Sequence, residues 1–323
     1  MLPLLLGLAS VAAPQDRIPI VLDTDANNEL DDQHAIAYML FNGGVFDVVG
    51  ITVNRTRFGG DAAEQAREAE RVVALCDRAG RIPVLRGANG SYEEIAPRIK
   101  ESPFDGEEAV RFIIDSAHRY GSPERKLLLA PIGKLTNVAL ALEADPSIAP
   151  KIRIVWLGSN YPEPGEYNLD NDEPAVNRVM NSNAELEIAV VRYGDPSGTY
   201  AVKATMEEIR RRMPGKGPRI SNPIEGRNGG TFSSFGDYSV DLFEHIKLEG
   251  DPPSRSLYDM AALAIVKNPS WAKSMRIPAP HLVDGKWEDR PDNPRYVTFW
   301  EHFDSDAIMR DFYQTIEHYE LAP

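Results

Sequence analysis

The feature that most constrains this chain is an apolar run that leads directly into a cluster of acids. Residues 18–22, Ile-Pro-Ile-Val-Leu, predict a strand buried on both faces, which is followed by a predicted helix. Asp23, Asp25, Asp31 and Asp32 lie where the strand gives way to the helix. Carboxylates this close repel one another, so a bound cation, a protonated member or solvent must compensate for their charge.

Three interpretations of these aspartates compete. The first is a solvated acidic turn, although turns after strands buried on both faces often carry function. The second is an EF-hand-like calcium loop, in which Asp23, Asp25 and Asn27 alternate as required. However, Asn28 stands where that loop needs Gly, and His34 where it needs a bidentate Glu. The third, which we favour, is a strand-end site for metal and substrate, whose oxygen ligands suit Ca²⁺ or Mg²⁺ better than zinc.

The composition is that of a globular protein with an acidic balance. Of 323 residues, 42% are hydrophobic and 26% are charged, and the formal net charge is −14. This charge argues against nucleic acid or an anionic membrane as a partner, and a small-molecule substrate is expected instead. The lone cysteine, Cys76, excludes an intrachain disulfide.

Residues 1–15 form a short apolar segment followed by small residues, as in an export signal with a small-residue cleavage site. The segment lacks a positively charged start and is too short to span a bilayer. We expect it to direct the protein to the periplasm or outside the cell. If it is instead a disordered extension, the protein is expected to be cytoplasmic.

Apolar, β-branched runs alternate with helical patterns over the first two thirds of the chain. The predicted strands are 18–22, 46–53, 82–85, 126–131, 151–157 and 186–192, and the predicted helices are 31–41, 61–79, 107–120, 135–143 and 173–183. This alternation predicts an α/β fold with an open, mainly parallel sheet flanked by helices. Ligands bind such sheets beyond the carboxyl ends of the strands, where the aspartates lie.

The last third of the chain is more irregular. It holds predicted helices at 206–213, 237–246, 256–267 and 305–319 and predicted strands near 276–282 and 295–300. The segment 214–236 is rich in Gly, Pro, Asn and Ser, and it is either a mobile loop over the site or simply a long loop. No linker marks a boundary, so residues 16–323 are predicted to form a single domain.

Four blocks of the sequence, taken in order, resemble the nucleoside hydrolase family, the calcium-dependent N-ribohydrolases typified by inosine–uridine-preferring enzymes. The blocks are Asp23-Thr24-Asp25 with Asp31-Asp32; Ile132-Gly133-Lys134-Leu135-Thr136-Asn137; Ser159-Asn160 with Glu166-Tyr167-Asn168 and Asp172; and Leu257-Tyr258-Asp259. The resemblance covers roughly residues 18 to 265 and implies a Rossmann-like core. The chain departs from the family by two extra residues before Asp31 and in the segment 55–60.

The resemblance implies hydrolysis of the N-glycosidic bond of ribonucleosides, giving ribose and free base, by a water bound to Ca²⁺. It implies that Asp25, Asp32, Asp259 and the backbone carbonyl of Ile132 bind the ion, with Asp25 also as general base. Asp31 is implied to hydrogen-bond the ribose hydroxyls.

Further roles follow from the same resemblance. Asn160, Glu166 and Asn168 are implied to grip the ribose, and Asn54, after the second strand, is expected to reach it. The remaining acid of the cluster, Asp23, is expected to orient the turn.

Activation of the leaving base is the least determined step. Many relatives place a histidine before the late aspartate, where this chain has Tyr258. Tyr258 is expected either to stack on a purine or to donate its phenolic proton, and the alternative is an aromatic ring that only fills space.

Two other functions are compatible with the same acidic residues. A haloacid-dehalogenase-like phosphatase would use Mg²⁺ and form an aspartyl phosphate at Asp23. A calcium-dependent protein that binds nucleosides or sugars would keep the acids without turnover. Relatives are commonly dimers or tetramers, so a homo-oligomer is a further expectation from the resemblance.

Overall fold

The computed structural model describes residues 17–323, so the predicted export signal at residues 1–15 lies outside the described residues. The strands are β1 Ile18–Thr24, β2 Phe46–Val53, β3 Val84–Arg86, β4 Leu127–Pro131, β5 Ile152–Leu157, β6 Glu185–Ala189, β7 Lys203–Thr205, β8 Ile224–Glu225, β9 Thr231–Phe232, β10 Ser254–Ser256, β11 Lys273–Pro278, β12 His281–Val283, β13 Lys286–Glu288 and β14 Tyr296–Glu301. The α-helices are α1 Leu30–Phe41, α2 Ala62–Leu75, α3 Tyr92–Ile95, α4 Glu107–Tyr120, α5 Thr136–Ala144, α6 Tyr167–Asn171, α7 Glu173–Met180, α8 Met206–Arg212, α9 Phe235–Glu244, α10 Tyr258–Lys267 and α11 Ser305–Glu317. None of these helices has the length and apolar character needed to cross a membrane.

Eight strands form one sheet in the order β11–β14–β6–β5–β4–β1–β2–β3. Every neighbouring pair is parallel except β11 with β14, so the predicted open, mainly parallel α/β sheet is confirmed. The sheet takes strands from both ends of the described chain, β1 from residues 18–24 and β14 from residues 296–301. Three small two-stranded sheets, β7–β10, β8–β9 and β12–β13, account for the irregular last third.

Alternating side chains of the strands feed two apolar cores, one on each face of the sheet. In β1, Ile20 and Leu22 join one core and Val21 joins the other. Helices α1, α2, α9, α10 and α11 complete the first core, and α4, α5 and α7 complete the second. Helix α1 lies deepest, because all twelve of its residues are buried.

Several predicted elements have different ends in the structure. The helix predicted at 61–79 stops at Leu75, because the backbone turns away and Asp77 adopts a positive φ of 55°. The strand predicted at 186–192 stops at Ala189, shortly before Arg192 at a φ of 49°. The helix predicted at 256–267 begins at Tyr258, since β10 pairs with β7 just before it.

The order of the strands creates a switch point beside β1. The chain adds β2 and β3 on one side of β1 and then returns to place β4 on its other side. Ligand sites of open α/β sheets form at such points, beyond the carboxyl ends of the strands. The two strand ends are joined there, since the backbone N–H of Ile132 donates to the carbonyl of Asp23 at 2.7 Å.

The burial of α1 gives a direct test of this packing. Ile36 is fully buried in the core formed by α1, α2, α9, α10 and α11. We expect Ile36→Ala to lower the free energy of unfolding by roughly 2–5 kcal/mol, because it removes buried methyl groups and leaves a cavity. Urea denaturation followed by circular dichroism measures this loss. Val283→Ala, at an exposed position, is the control and is expected to change stability by less than about 0.5 kcal/mol; a similarly small effect of Ile36→Ala would contradict the packing.

Candidate active site

A cavity of about 160 Å³ opens at the switch point. Its lining includes eight of the residues predicted for the site, namely Asp25, Asp31, Asp32, Ile132, Glu166, Asn168, Tyr258 and Asp259. They come from the turn after β1, the start of α1, the end of β4, the start of α6 and the start of α10. The fold therefore brings together residues that lie more than 200 positions apart in the chain.

Three carboxyl groups form the floor of this cavity. Asp31 and Asp32 lie in the first turn of α1, and Asp259 lies in the first turn of α10. Oxygen atoms of these three residues lie within 4.8 Å of one another, and all three side chains are buried. The partial positive charge at each helix N-terminus offsets part of their repulsion.

Burial makes these acids difficult to ionise. It raises the pKa of Asp31 to about 7 and that of Asp25 to about 6. The pKa values of Asp32 and Asp259 are raised well above the usual range, first by burial and then by the charges of neighbouring aspartates. Without a cation, the group therefore holds protons near neutral pH.

The acidic cluster has the chemistry and spacing of a site for a hard divalent cation. Calcium binds oxygen at 2.3–2.6 Å, so two ligands on opposite sides of one ion lie at most about 5 Å apart. The oxygens of Asp31, Asp32 and Asp259 satisfy this limit. Asp25 and Ile132, two of the predicted ligands, line the same cavity, while Asp31, predicted to bind ribose, belongs to the closest triplet.

Two threonines that were not predicted hold the acids in place. The hydroxyl of Thr56 donates to Oδ2 of Asp25 at 2.6 Å, and the hydroxyl of Thr24 donates to Asp32. On the other side of Asp25, a Cβ added at Gly133 would lie 2.8 Å from Oδ1. Only glycine therefore lets the chain after β4 pass this close to the carboxylate.

Asp23 lies behind the cavity and does not line it. Its carboxylate accepts hydrogen bonds from Thr52 at 2.6 Å, Asn137 at 2.7 Å and Asn54 at 2.9 Å. Burial raises the pKa of Asp23 to about 6 although these donors favour the anion. An acid held in this way can orient the turn, as predicted, but it cannot attack a phosphate as the phosphatase alternative requires.

Glu166 and Asn168 line the cavity and also brace its wall. Glu166 accepts from the backbone N–H groups of Ser159 at 3.0 Å and Leu169 at 2.9 Å, and burial raises its pKa to about 7. Nδ2 of Asn168 donates to the carbonyl of Ile132 at 2.9 Å. This bond fixes the direction of a carbonyl that is a predicted metal ligand.

The structure does not bring Asn54 and Asn160 into the cavity, where their predicted contact with ribose would require them. Nδ2 of Asn160 donates to the carbonyl of Gly165, and its Oδ1 accepts from the backbone N–H of Arg192 at 2.8 Å. Its amide is therefore used to close the loop. Asn54 is fully buried and donates to Asp23.

Two of the three interpretations of the acidic segment are wrong. A solvated turn would expose the carboxylates, which are buried. An EF-hand would require a ligand at position 34, but His34 is buried, with Nδ1 2.6 Å from the carbonyl of Leu30 and Nε2 2.7 Å from Oγ of Ser239. Burial lowers the pKa of His34 to about 4, which keeps the ring neutral.

The segment 214–236 does not cover the cavity, since none of its residues lines it. It contains the β8–β9 hairpin, which lies against the outside of the aspartate turn. Nη2 of Arg227 donates to the carbonyl of Asn27 at 2.9 Å. The segment therefore supports the turn from outside in this structure.

Several residues that line the cavity were not predicted from the sequence. Arg255 pairs with Glu29 beside Asp31, and the aromatic residues Phe58, Tyr167 and Tyr193 form part of the walls. Tyr167 lies between Glu166 and Asn168, in a block that resembles the family, so its place in the cavity could have been predicted from that block. Phe58 lies in the segment 55–60, for which the resemblance gives no prediction.

A protein-family model described as inosine-uridine preferring nucleoside hydrolase matches residues 20–309 of the chain. Among curated proteins, a probable uridine nucleosidase 2 from Oryza sativa subsp. japonica is 31% identical over 224 residues, which cover 61% of this chain and 63% of the relative. The pyrimidine-specific ribonucleoside hydrolase RihB of Escherichia coli K12 is 27% identical over 198 residues, which cover 59% of this chain and 55% of the relative. The chain thus spans about three fifths of the length of such relatives.

Solved structures show the same fold over nearly the whole chain. A plant nucleoside hydrolase, the PpNRh1 enzyme, matches with a TM-score of 0.70 at 18% identity, over 95% of this chain and all of the other. A purine-preferring ribonucleoside hydrolase from Gardnerella vaginalis matches with a TM-score of 0.69 at 20% identity, over 92% of this chain and 98% of the other. At these identities the similarity concerns the fold alone.

The acidic cluster predicts how cations affect stability. Calcium chloride is expected to raise the melting temperature of the protein, because a ligand that binds only the folded state stabilises it. Asp259→Asn should remove most of that increase and, without calcium, should stabilise the protein, because a neutral amide avoids the cost of burying a carboxyl group that is charged in the unfolded chain. Differential scanning calorimetry with and without calcium measures both effects. The control Asp115→Asn, at an exposed position on α4, is expected to keep the calcium response; an unchanged response in Asp259→Asn would contradict the site.

Proposed function

The chain belongs to the inosine-uridine preferring nucleoside hydrolase family, and from this premise we propose that it hydrolyses the N-glycosidic bond of ribonucleosides to ribose and free base. The observation that carries the proposal is the buried cluster of Asp31, Asp32 and Asp259 in a cavity that aromatic residues also line. Acids and aromatic rings in one cavity suit a ligand with a polyhydroxylated end and a planar end.

Calcium is the proposed cofactor. The residues that would hold it are Asp25, Asp32, Asp259 and the carbonyl of Ile132, with Asp31 close enough to share the ion. When bound, the ion would screen the buried carboxylates and lower the pKa of a coordinated water. The all-oxygen surroundings and the spacing of the acids support calcium over zinc.

Asp25 is the proposed general base. Oδ2 of its carboxylate is held by the hydroxyl of Thr56, and Asp25 lines the cavity. A carboxylate fixed in this way can accept the proton of the attacking water without first reorienting.

The remaining polar residues would bind the sugar and its developing charge. Asp31 is proposed to accept hydrogen bonds from the ribose hydroxyls, and Glu166 and Asn168, which line the same cavity, are proposed to bind the sugar as well. Cleavage of the glycosidic bond develops positive charge on the ribosyl ring. Carboxylate and amide oxygens arranged before the reaction stabilise that cation more than the neutral substrate, which lowers the barrier.

The leaving base would lie against Tyr258. The ring of Tyr258 packs edge-to-face with Tyr193, with 6.0 Å between centroids and an interplanar angle of 81°. Burial raises the pKa of the Tyr258 phenol above its usual value, so the group is a poor proton donor near neutral pH. We therefore propose that Tyr258 assists the leaving base by packing against it.

Base release by the purified protein tests the proposed function. Inosine and uridine are incubated separately with the protein, with calcium or with a chelator, and free base is measured by liquid chromatography. Release that stops on chelation and returns with added calcium supports the proposal. Tight binding of nucleosides without release would identify a binding protein instead, and turnover of p-nitrophenyl phosphate would restore the phosphatase alternative.

The role of Asp25 gives the sharpest prediction for catalysis. We expect Asp25→Asn to lower kcat for base release by at least roughly 100-fold while the circular dichroism spectrum stays unchanged, because general base catalysis contributes about 10²–10⁴. Activity within about tenfold of the wild type would remove Asp25 from the role of general base.

Substitutions of Tyr258 separate packing from proton donation. If the ring acts by packing, Tyr258→Phe should keep kcat for inosine within about threefold, whereas Tyr258→Ala should lower it by tenfold or more. Steady-state kinetics at constant pH measure kcat for both variants and distinguish packing from proton donation. An equal loss in both variants would instead assign the function to the hydroxyl.

A further inference from the structure

The two most exposed large apolar side chains among those described in the structure both lie at the cavity. Phe58 is 65% exposed and Tyr193 is 51% exposed, and each lines the cavity. A phenylalanine exposed to this extent gains little from the fold itself, and such surfaces commonly mark binding sites. Phe58 lies in the segment 55–60, between β2 and α2.

The ring of Phe58 is held in one orientation. It stacks on Tyr167 with 5.9 Å between ring centroids and an interplanar angle of 10°. The backbone N–H of Phe58 donates to the phenolic oxygen of Tyr167 at 3.1 Å, and that of Arg57 donates to Asn171 at 2.9 Å. The segment is thus fastened to α6, which lowers the entropy that the ring would lose on binding a ligand.

On its other side, the segment is braced against the aspartate turn. Gln65 of α2 is fully buried; its Oε1 accepts from the backbone N–H of Asn27 at 2.6 Å, and its Nε2 donates to the carbonyl of Phe58 at 3.3 Å. Nδ2 of Asn27 donates to the carbonyl of Gly59 at 2.7 Å. We call Gln65 and Asn27 the brace.

The brace depends on close contact between two backbones. Gly59 has a φ of +81°, and a Cβ there would lie 2.7 Å from backbone atoms of Asn27 and Asn28. Asn27 belongs to the turn between β1 and α1, which also carries Asp25. The segment 55–60 and the aspartate turn therefore support each other.

We propose that Phe58 is a specificity-determining residue that recognises a planar aromatic leaving group, and that Gln65 is the positioning residue that fixes it relative to the aspartate turn. The proposal rests on the proposed function, which supplies the aromatic base. Phe58 and Tyr167 would pack against the base together with Tyr193 and Tyr258, which line the same cavity. Because the brace joins Phe58 to the turn that carries Asp25, it sets the distance between the base and the acids that hold the sugar.

Binding and kinetics of Phe58 variants test the proposal. Phe58→Ala should weaken the binding of inosine and of uridine, and lower kcat/KM for both, by roughly tenfold, the order expected for loss of one base–aromatic stacking contact. The inhibition constant of ribose, which lacks a base, should stay within twofold. Phe58→Trp should raise the ratio of kcat/KM for inosine to kcat/KM for uridine, since the larger ring covers more of a purine.

Tyr296→Ala removes an exposed aromatic ring far from the cavity and serves as the matched control, with no expected change. A loss below twofold for both nucleosides in Phe58→Ala, or an equal loss for ribose, would overturn the role of Phe58. If the wild type binds nucleosides but releases no base, the proposed function fails while the affinity readout for Phe58 still stands. A wild type that neither binds nor cleaves nucleosides contradicts both.

A double-mutant cycle tests the positioning role of Gln65. Gln65→Met keeps the length of the side chain but cannot bond to Asn27 or Phe58. It should lower kcat/KM for inosine severalfold in the wild-type background and by less than twofold when Phe58 is already alanine, since the two residues act as one unit. Equal losses in both backgrounds would show a purely structural role for Gln65 and overturn its assignment.

Discussion

The mutual repulsion of buried carboxylates is the constraint on which the rest of this structure depends. Asp25, Asp31, Asp32 and Asp259 are held out of water, where their charges cost far more than at the surface. The fold tolerates them because two helix N-termini and two threonine hydroxyls face them, and because a divalent cation can replace their protons. A site of this kind destabilises the folded protein. It also stabilises any positive charge that enters it, whether on a metal ion or on a transition state.

The architecture provides the rigidity that such a cluster needs. Helix α1 carries two of the acids and is buried along its whole length, and α10 packs beside it with the third. The backbone bond from Ile132 to Asp23 fixes the ends of β4 and β1 to each other. Small displacements of the acids are therefore opposed by the packing of the core, which preserves the distances required for binding an ion.

Much of this arrangement was predictable from sequence, because it depends on local patterns. The period of apolar residues predicted the sheet and its helices, and β2 and α4 have the predicted ends. The spacing of the early aspartates predicted an acidic site after β1, whereas Asp259 was expected only from the family resemblance. Contacts between distant segments were not predictable: Thr56 beside Asp25, Arg255 beside Asp31, and the loop-closing bonds of Asn160 depend on how loops cross in space. The end of a helix that depends on one residue with a positive φ, as α2 does on Asp77, also cannot be predicted from the period of the apolar residues.

One ion shared between the early and the late part of the chain is the central claim. Diffraction from crystals soaked in calcium, at a wavelength where calcium scatters anomalously, measures it directly. We expect one anomalous peak within about 2.6 Å of carboxylate oxygens from both Asp32 and Asp259. A well-resolved map without a peak between these two residues would contradict the account.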